Sequence, residues 1–197
     1  FAVLAVAIPA VALLISLALQ PDNDLLTDNQ KNRILAFVNP EEYQTTFAYQ
    51  QLNSKMAIGS GQLWGKGLNN SQITSVKNGN FISEPQTDFI FAIVGEELGF
   101  IGAVVVIVLL FLIVLECIFM ARKAKDISGR LICCGMAALI GFQGFINICV
   151  ATGLMPNTGL TLPFVSYGLT SLVTLFMGIG FVLNIGLQPN KYGMGDT

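Results

Sequence analysis

Apolar residues fill four long stretches of this chain, 1–19, 89–120, 131–150 and 162–187, and polar residues gather between them. The first stretch, at 1.5 Å per helical residue, is about 28 Å long, roughly one bilayer core. Gln20, Pro21 and Asp22 end it. The pattern predicts an all-α fold: a polytopic membrane helix bundle, about four transmembrane helices here, with a long extracellular loop containing amphipathic helices. Arg122, Lys123, Lys125 and Arg130 crowd the short stretch 121–130, which the positive-inside rule makes cytoplasmic. Segment 20–88 and the short loop 151–161 then lie outside, and the tail 188–197 lies inside. The chain opens within an apolar run, without Met or a charged leader region. The expectation is a single membrane domain forming the C-terminal part of a longer polytopic protein, with no signal peptide.

Segment 20–88 carries helical signals of its own. Asn39-Pro40-Glu41-Glu42 combines a cap residue, Pro at the first helical position and acids in the first turn. Tyr43, Phe47, Leu52 and Met56 follow at helical spacing, an apolar stripe that fits a helix lying on the membrane or on the rest of the protein. Ile34, Leu35 and Phe37 mark a shorter helix before it. Next comes Gly59-Ser60-Gly61-Gln62-Leu63-Trp64-Gly65-Lys66-Gly67. Its spacing fits neither a dinucleotide fingerprint nor a Walker loop. Two readings remain open: a flexible turn, or a phosphate or sugar cradle with Lys66 at its edge.

Composition narrows the chemistry. Charged residues make up 11% of the chain, against about 25% in soluble domains. The net charge of −2 and the lack of a basic block exclude a nucleic-acid partner. There is no histidine, which removes Ser-His-Asp and Cys-His machinery and leaves carboxylates and lysines for acid-base work. Cys117, Cys133, Cys134 and Cys149 all lie in apolar runs without a Cys-x-x-Cys, so neither zinc nor a disulfide framework is indicated.

Four carboxylates, Glu84, Asp88, Glu96 and Glu97, gather where the long polar segment meets the second apolar run. Ionisable groups beside hydrocarbon are costly, and their default reading is functional. The bland reading of Asp88 is a helix cap or first-turn acid worth about 1 kcal/mol. Gly95, Gly99 and Gly102 point to close helix contact. In the third span, Gln143 and Asn147 stand four apart on one face, as helix-helix glue or as the lining of a polar cavity. The entry to the fourth span, with Pro156, Gly159, Pro163 and Gly168, implies broken or re-entrant backbone.

Several of these pieces, in order along nearly the whole chain, resemble the SEDS family, the RodA, FtsW and SpoVE proteins of bacterial shape, elongation, division and sporulation. They are Ala36-Phe37-Val38-Asn39-Pro40-Glu41, Ala57-Ile58-Gly59-Ser60-Gly61, Glu84-Pro85-Gln86-Thr87-Asp88-Phe89-Ile90-Phe91-Ala92, Gly95-Glu96-Glu97-Leu98-Gly99, Gln143 with Asn147-Ile148, and Leu162-Pro163-Phe164-Val165-Ser166-Tyr167-Gly168. Leu169 stands where the family often has a second Gly, and Thr158 where some division-type members carry Lys. Asn184-Ile185-Gly186-Leu187 looks slightly more like the elongation type.

The resemblance implies a glycosyltransferase of the bacterial cell membrane that polymerises the peptidoglycan precursor lipid II at the outer face, working with a class B penicillin-binding protein. It places the family's essential Asp at Asp88. As a general base, Asp88 would take the proton of the acceptor sugar's 4-hydroxyl as that oxygen attacks the anomeric carbon of the lipid-linked donor. The candidates for substrate binding are Lys66, Glu84, Glu96, Glu97, Gln143, Asn147, Ser166 and Tyr167. In the alternative chemistry, Asp88 holds a divalent cation, Mg or Mn, with Glu84 or Glu96 as helper. Two other readings stay open: a lipid II flippase or transporter, and a non-catalytic scaffold for a penicillin-binding protein.

Overall fold

A computed structural model describes residues 27–39, 47–68 and 86–187. The first predicted span, the helix start at Pro40, Glu84 and the tail 188–197 lie outside the described residues. Among the described residues every regular element is a helix: α1 (Asp28–Val38), α2 (Phe47–Ser60), α3 (Ile90–Lys123), α4 (Ile127–Ala151) and α5 (Leu169–Leu187). The chain divides into two compact units, Phe1–Tyr49 and Gln50–Thr197. In the first, α1 is the short helix expected from Ile34, Leu35 and Phe37. Gln30 reaches back to accept the Thr27 N–H at 3.1 Å, one half of a capping box.

In the second unit, α3, α4 and α5 are long and apolar enough to cross a membrane. Arg122 and Lys123 fall in the last turn of α3, where cations favour the negative end of the helix dipole. The predicted loop 121–130 therefore shrinks to residues 124–126, and so short a connection makes α3 and α4 antiparallel neighbours. Small residues let them approach: Cys117 and Ala121 meet Cys133 and Ala137, and α5 closes this core with Leu175 and Val182. Such packing by small side chains is how helices associate where no hydrophobic force separates protein from lipid. Large side chains such as Leu109, Leu112 and Phe142 stay exposed, as a lipid-facing surface requires. All four cysteines are free thiols. Glu116 is exposed.

The fourth span is helical only from Leu169; residues 160–168 form non-helical backbone, as the prolines and glycines there imply. In α2, Leu52 and Met56 are exposed, as on a helix whose apolar stripe lies on the membrane, while Gln51, Asn53 and Ser54 are buried. The reason lies in α4, whose final carbonyls have no partner within their own helix. Gln51 Nε2 donates to Val150 O (3.0 Å) and Met155 O (2.6 Å), and Ser54 Oγ donates to Ala151 O (2.7 Å). The polar face of α2 thus caps the end of α4.

Candidate active site

Asp88 sits in the turn 86–89 that precedes α3. The N-cap of α3 is Phe89, which makes no side-chain cap bond, and the first turn contains no acid. Asp88 stands one residue outside the cap position. Its turn is fixed through the main chain instead. The carbonyls of Gln86, Thr87 and Asp88 accept, in succession, from the Tyr167 N–H (3.0 Å), Ser166 Oγ (2.7 Å) and Asn147 Nδ2 (2.8 Å). Phe89, 1% exposed, anchors the turn in a cluster with Ala57, Ala92 and Val150. The Asp88 side chain is half-buried.

The donors are themselves held by the non-helical entry to α5. Asn147 Nδ2 also donates to Leu160 O at 2.6 Å, and Ser166 Oγ accepts the Leu162 N–H at 2.7 Å. One turn away on α4, Gln143 Nε2 donates to the carbonyl (2.9 Å) and hydroxyl (3.2 Å) of Thr161. Thr161 continues the chain to Ser171 Oγ at 3.1 Å. The broken backbone is therefore satisfied by side chains of α4, the condition under which such backbone is tolerated within a membrane. Phe164, at φ 62°, packs edge-to-face on Phe176 with ring centroids 5.6 Å apart. Asn147 and Gln143 thus hold the entry to α5 and the turn before α3, chiefly through backbone carbonyls. Among the described residues the buried Asn147 Oδ1 has no hydrogen-bond partner. The Tyr167 side chain is 79% exposed, beside the turn that carries Asp88. Thr161 carried no signal in the sequence; a threonine in a Pro- and Gly-rich entry reads only as loop.

Lys66, Glu96 and Glu97 come together elsewhere, at the far end of the first turns of α3. Gly99 adopts φ 67°, ψ −165°, a conformation essentially confined to glycine, and interrupts the helix. It is a break, not a helix contact. Residues 90–98 form a half-helix and residues 100–123 the apolar span. In a continuous helix the Phe100 and Ile101 N–H groups would bond to the Glu96 and Glu97 carbonyls. Instead they donate to Gln62 O (2.8 Å) and Leu63 O (3.3 Å), and the Glu96 and Glu97 carbonyls accept from the Lys66 (2.9 Å) and Gly67 (3.0 Å) N–H groups. The glycine-rich segment is a plug fitted into the break, and the four freed backbone groups all find partners. Lys66 Nζ adds an ion pair to Glu96 Oε1 at 2.9 Å, with Glu96 only 3% exposed.

Among the described residues no group of three potential metal ligands gathers; Glu84 lies outside them. Glu96 is paired with Lys66. Beside the half-helix runs an apolar groove of about 410 Å³, lined among others by Ile58, Phe91, Gly95, Phe100, Ile107 and Ile148.

The family model described as a cell cycle protein, FtsW/RodA/SpoVE, matches residues 1–191. This chain belongs to the FtsW/RodA/SpoVE family. It is 40% identical over 161 residues to a probable peptidoglycan glycosyltransferase FtsW of Geobacter metallireducens, covering 82% of this chain and 42% of that protein. It is 42% identical over 153 residues to the stage V sporulation protein E of Bacillus subtilis, covering 78% and 41%. The fold is similar, with TM-score 0.66 and 30% identity over 94% of this chain and 49% of the other, to a chain from a structural study of polymerization and crosslinking by a peptidoglycan synthase complex. The chain thus spans about two-fifths of the length of these curated relatives. The slight leaning toward the elongation type draws no support from relatives named FtsW and stage V sporulation protein E.

Proposed function

We propose that this chain is part of a peptidoglycan glycan-strand polymerase, transferring disaccharide units from a lipid diphosphate at the outer face of the bacterial cell membrane, with Asp88 as general base. The supporting observation is the triple anchoring of the turn 86–88. Three consecutive carbonyls are bound by donors from α4 and the α5 entry, which holds the backbone while leaving the Asp88 carboxylate half-buried at the surface. Positioning of this kind is where an intrinsically weak base gains its effect. In the reaction the acceptor 4-hydroxyl oxygen bonds to the donor's anomeric carbon. The bond from that carbon to the diphosphate oxygen breaks, the diphosphate leaves with its lipid, and the hydroxyl proton passes to Asp88. Asn147, Ser166 and Gln143 act on this site through the backbone they hold. Their engagement with loop carbonyls also weighs against a transporter, which needs such groups along its pathway.

The charge pattern supports a multi-pass arrangement with Arg122, Lys123, Lys125 and Arg130 inside, and segment 20–88 outside with Asp88. The apolar groove beside the half-helix suits a lipid-linked substrate. The partner in this reading is a class B penicillin-binding protein that crosslinks the glycan. The test is lipid II polymerisation in liposomes by the full-length protein with its partner, wild type beside Asp88→Asn. Glycan from the wild type and none from the folded variant is expected. Undiminished glycan from Asp88→Asn removes Asp88 from the chemistry, and lipid transport without any glycan from the wild type replaces the polymerase by a flippase.

A further inference from the structure

Glu116 is a carboxylate within the apolar span of α3. Five apolar residues, Cys117-Ile118-Phe119-Met120-Ala121, separate it from Arg122, so it lies six helical residues, about 9 Å, inside the basic end of the helix. On its other side residues 100–115 are all apolar or glycine. Among the described residues Glu116 makes no ion pair and no hydrogen bond. Its own geometry keeps it from the nearer interface. Side chains of a helix lean towards the N-terminus, which on α3 turns the Glu116 carboxylate away from Arg122 and towards the middle of the hydrocarbon.

The face that carries Glu116 is uncovered in this chain. Leu112 and Phe119, four residues before it and three after, share that face and are 49% and 47% exposed. The contacts with α4 and α5 lie on the other side, around Cys117 and Ala121. An apolar surface of this kind suits lipid, but a carboxylate in it does not: charges within a span almost always face the interior of a bundle and are paired there.

We infer that in the full-length protein a further membrane-spanning helix crosses α3 at the level of Glu116 and pairs a Lys or Arg with it. The occupant is a helix, because backbone exposed to lipid must satisfy its own hydrogen bonds. It belongs to the same polypeptide, because a dissociable partner would leave the carboxylate unpaired in lipid whenever it was away. The cation comes from beyond this chain, since the apolar stretches 1–19, 131–150 and 162–187 contain no Lys or Arg. The match covers 42% and 41% of two curated relatives, so more than half of such a protein lies outside the matched stretch.

The test is the stability of the full-length protein, without a penicillin-binding protein, in mixed micelles titrated with SDS and followed by circular dichroism. Wild type is compared with Glu116→Leu and Glu116→Gln. Glu116→Leu strands the cation inside the bundle and should shift the unfolding equilibrium about 10²- to 10³-fold towards the unfolded state. Glu116→Gln, still able to accept a hydrogen bond, should lose less. In the Glu116→Leu background each Lys and Arg of the other spans is then changed to Leu in turn, and one of these changes should restore stability. Unchanged or raised stability of Glu116→Leu overturns the inference, because that is the response of a carboxylate facing lipid. A loss seen only when a penicillin-binding protein is bound also overturns it, by making the occupant a partner. If Glu116→Leu yields no folded protein, the second substitution decides alone: rescue by one cation supports the inference, and rescue by none overturns it.

Discussion

Two glycines two residues apart on α2 and its C-terminal turn should respond oppositely to the same substitution. A methyl group at Gly61 would overlap the Gly95 carbonyl oxygen and stand 2.9 Å from the Gly95 carbonyl carbon and 3.1 Å from Glu96 Cα. Every one of these is a backbone atom, with no rotamer to move aside. At Gly59 no atom of the described residues lies within 4 Å. Gly61→Ala must therefore push the segment off α3. Overpacking of this kind costs about 1–3 kcal/mol, and lifting the plug endangers four backbone bonds worth about 0.5–1.5 kcal/mol each. A loss of about 3 kcal/mol or more follows, which lowers the melting temperature. Gly59→Ala, in helix and in open space, should gain about 0.5–1 kcal/mol. The buried thiols Cys117, Cys133 and Cys149 provide the assay: a thiol-reactive fluorophore reports their exposure on heating the full-length protein in detergent. Equal melting temperatures for the two variants would refute the close approach and with it the plugged break.

Asn147→Leu keeps the volume but removes the donor from the Asp88 and Leu160 carbonyls; two orphaned acceptors at about 1–3 kcal/mol each should lower thermal stability and abolish most polymerisation. Ser166→Ala, which strands Thr87 O and the Leu162 N–H, should follow it in the same melting and glycan assays, whereas Tyr167→Phe should change stability little. Trp64 is 81% exposed next to the break, at the outer end of the apolar span, and should lie in the membrane interface as aromatic side chains there do. Its fluorescence, taken as wild type minus Trp64→Phe, should be quenched by lipids brominated near the headgroup and less by those brominated at the chain end; no quenching by either places it in water or under protein.

What could be read from the sequence was set by local pattern. The helices α3 and α4 announce themselves by unbroken apolar runs, and the irregular entry to α5 by Pro156, Gly159 and Pro163. Asp88 stood out because a carboxylate beside hydrocarbon is expensive. The break at Gly99 was illegible, because a glycine in an apolar run reads as a contact surface. It becomes a break only because residues 62–67, some thirty positions earlier, supply the missing hydrogen-bond partners. The burial of the polar face of α2 was hidden for a related reason: Gln51 and Ser54 turn inward to serve carbonyls at Val150, Ala151 and Met155, a demand visible only once α4 ends beside them. Asn147 was recognised as a polar group needing a partner, but its partners are main-chain atoms, which have no signature in side-chain pattern.

The plug has a consequence for how the chain between its anchors can vary. Gln62 and Leu63 accept from Phe100 and Ile101, and Lys66 and Gly67 donate to Glu96 and Glu97. An insertion between Leu63 and Lys66 would put these two pairs of hydrogen bonds out of register with each other. Family members should therefore hold the count of residues from Gln62 to Gly67 constant.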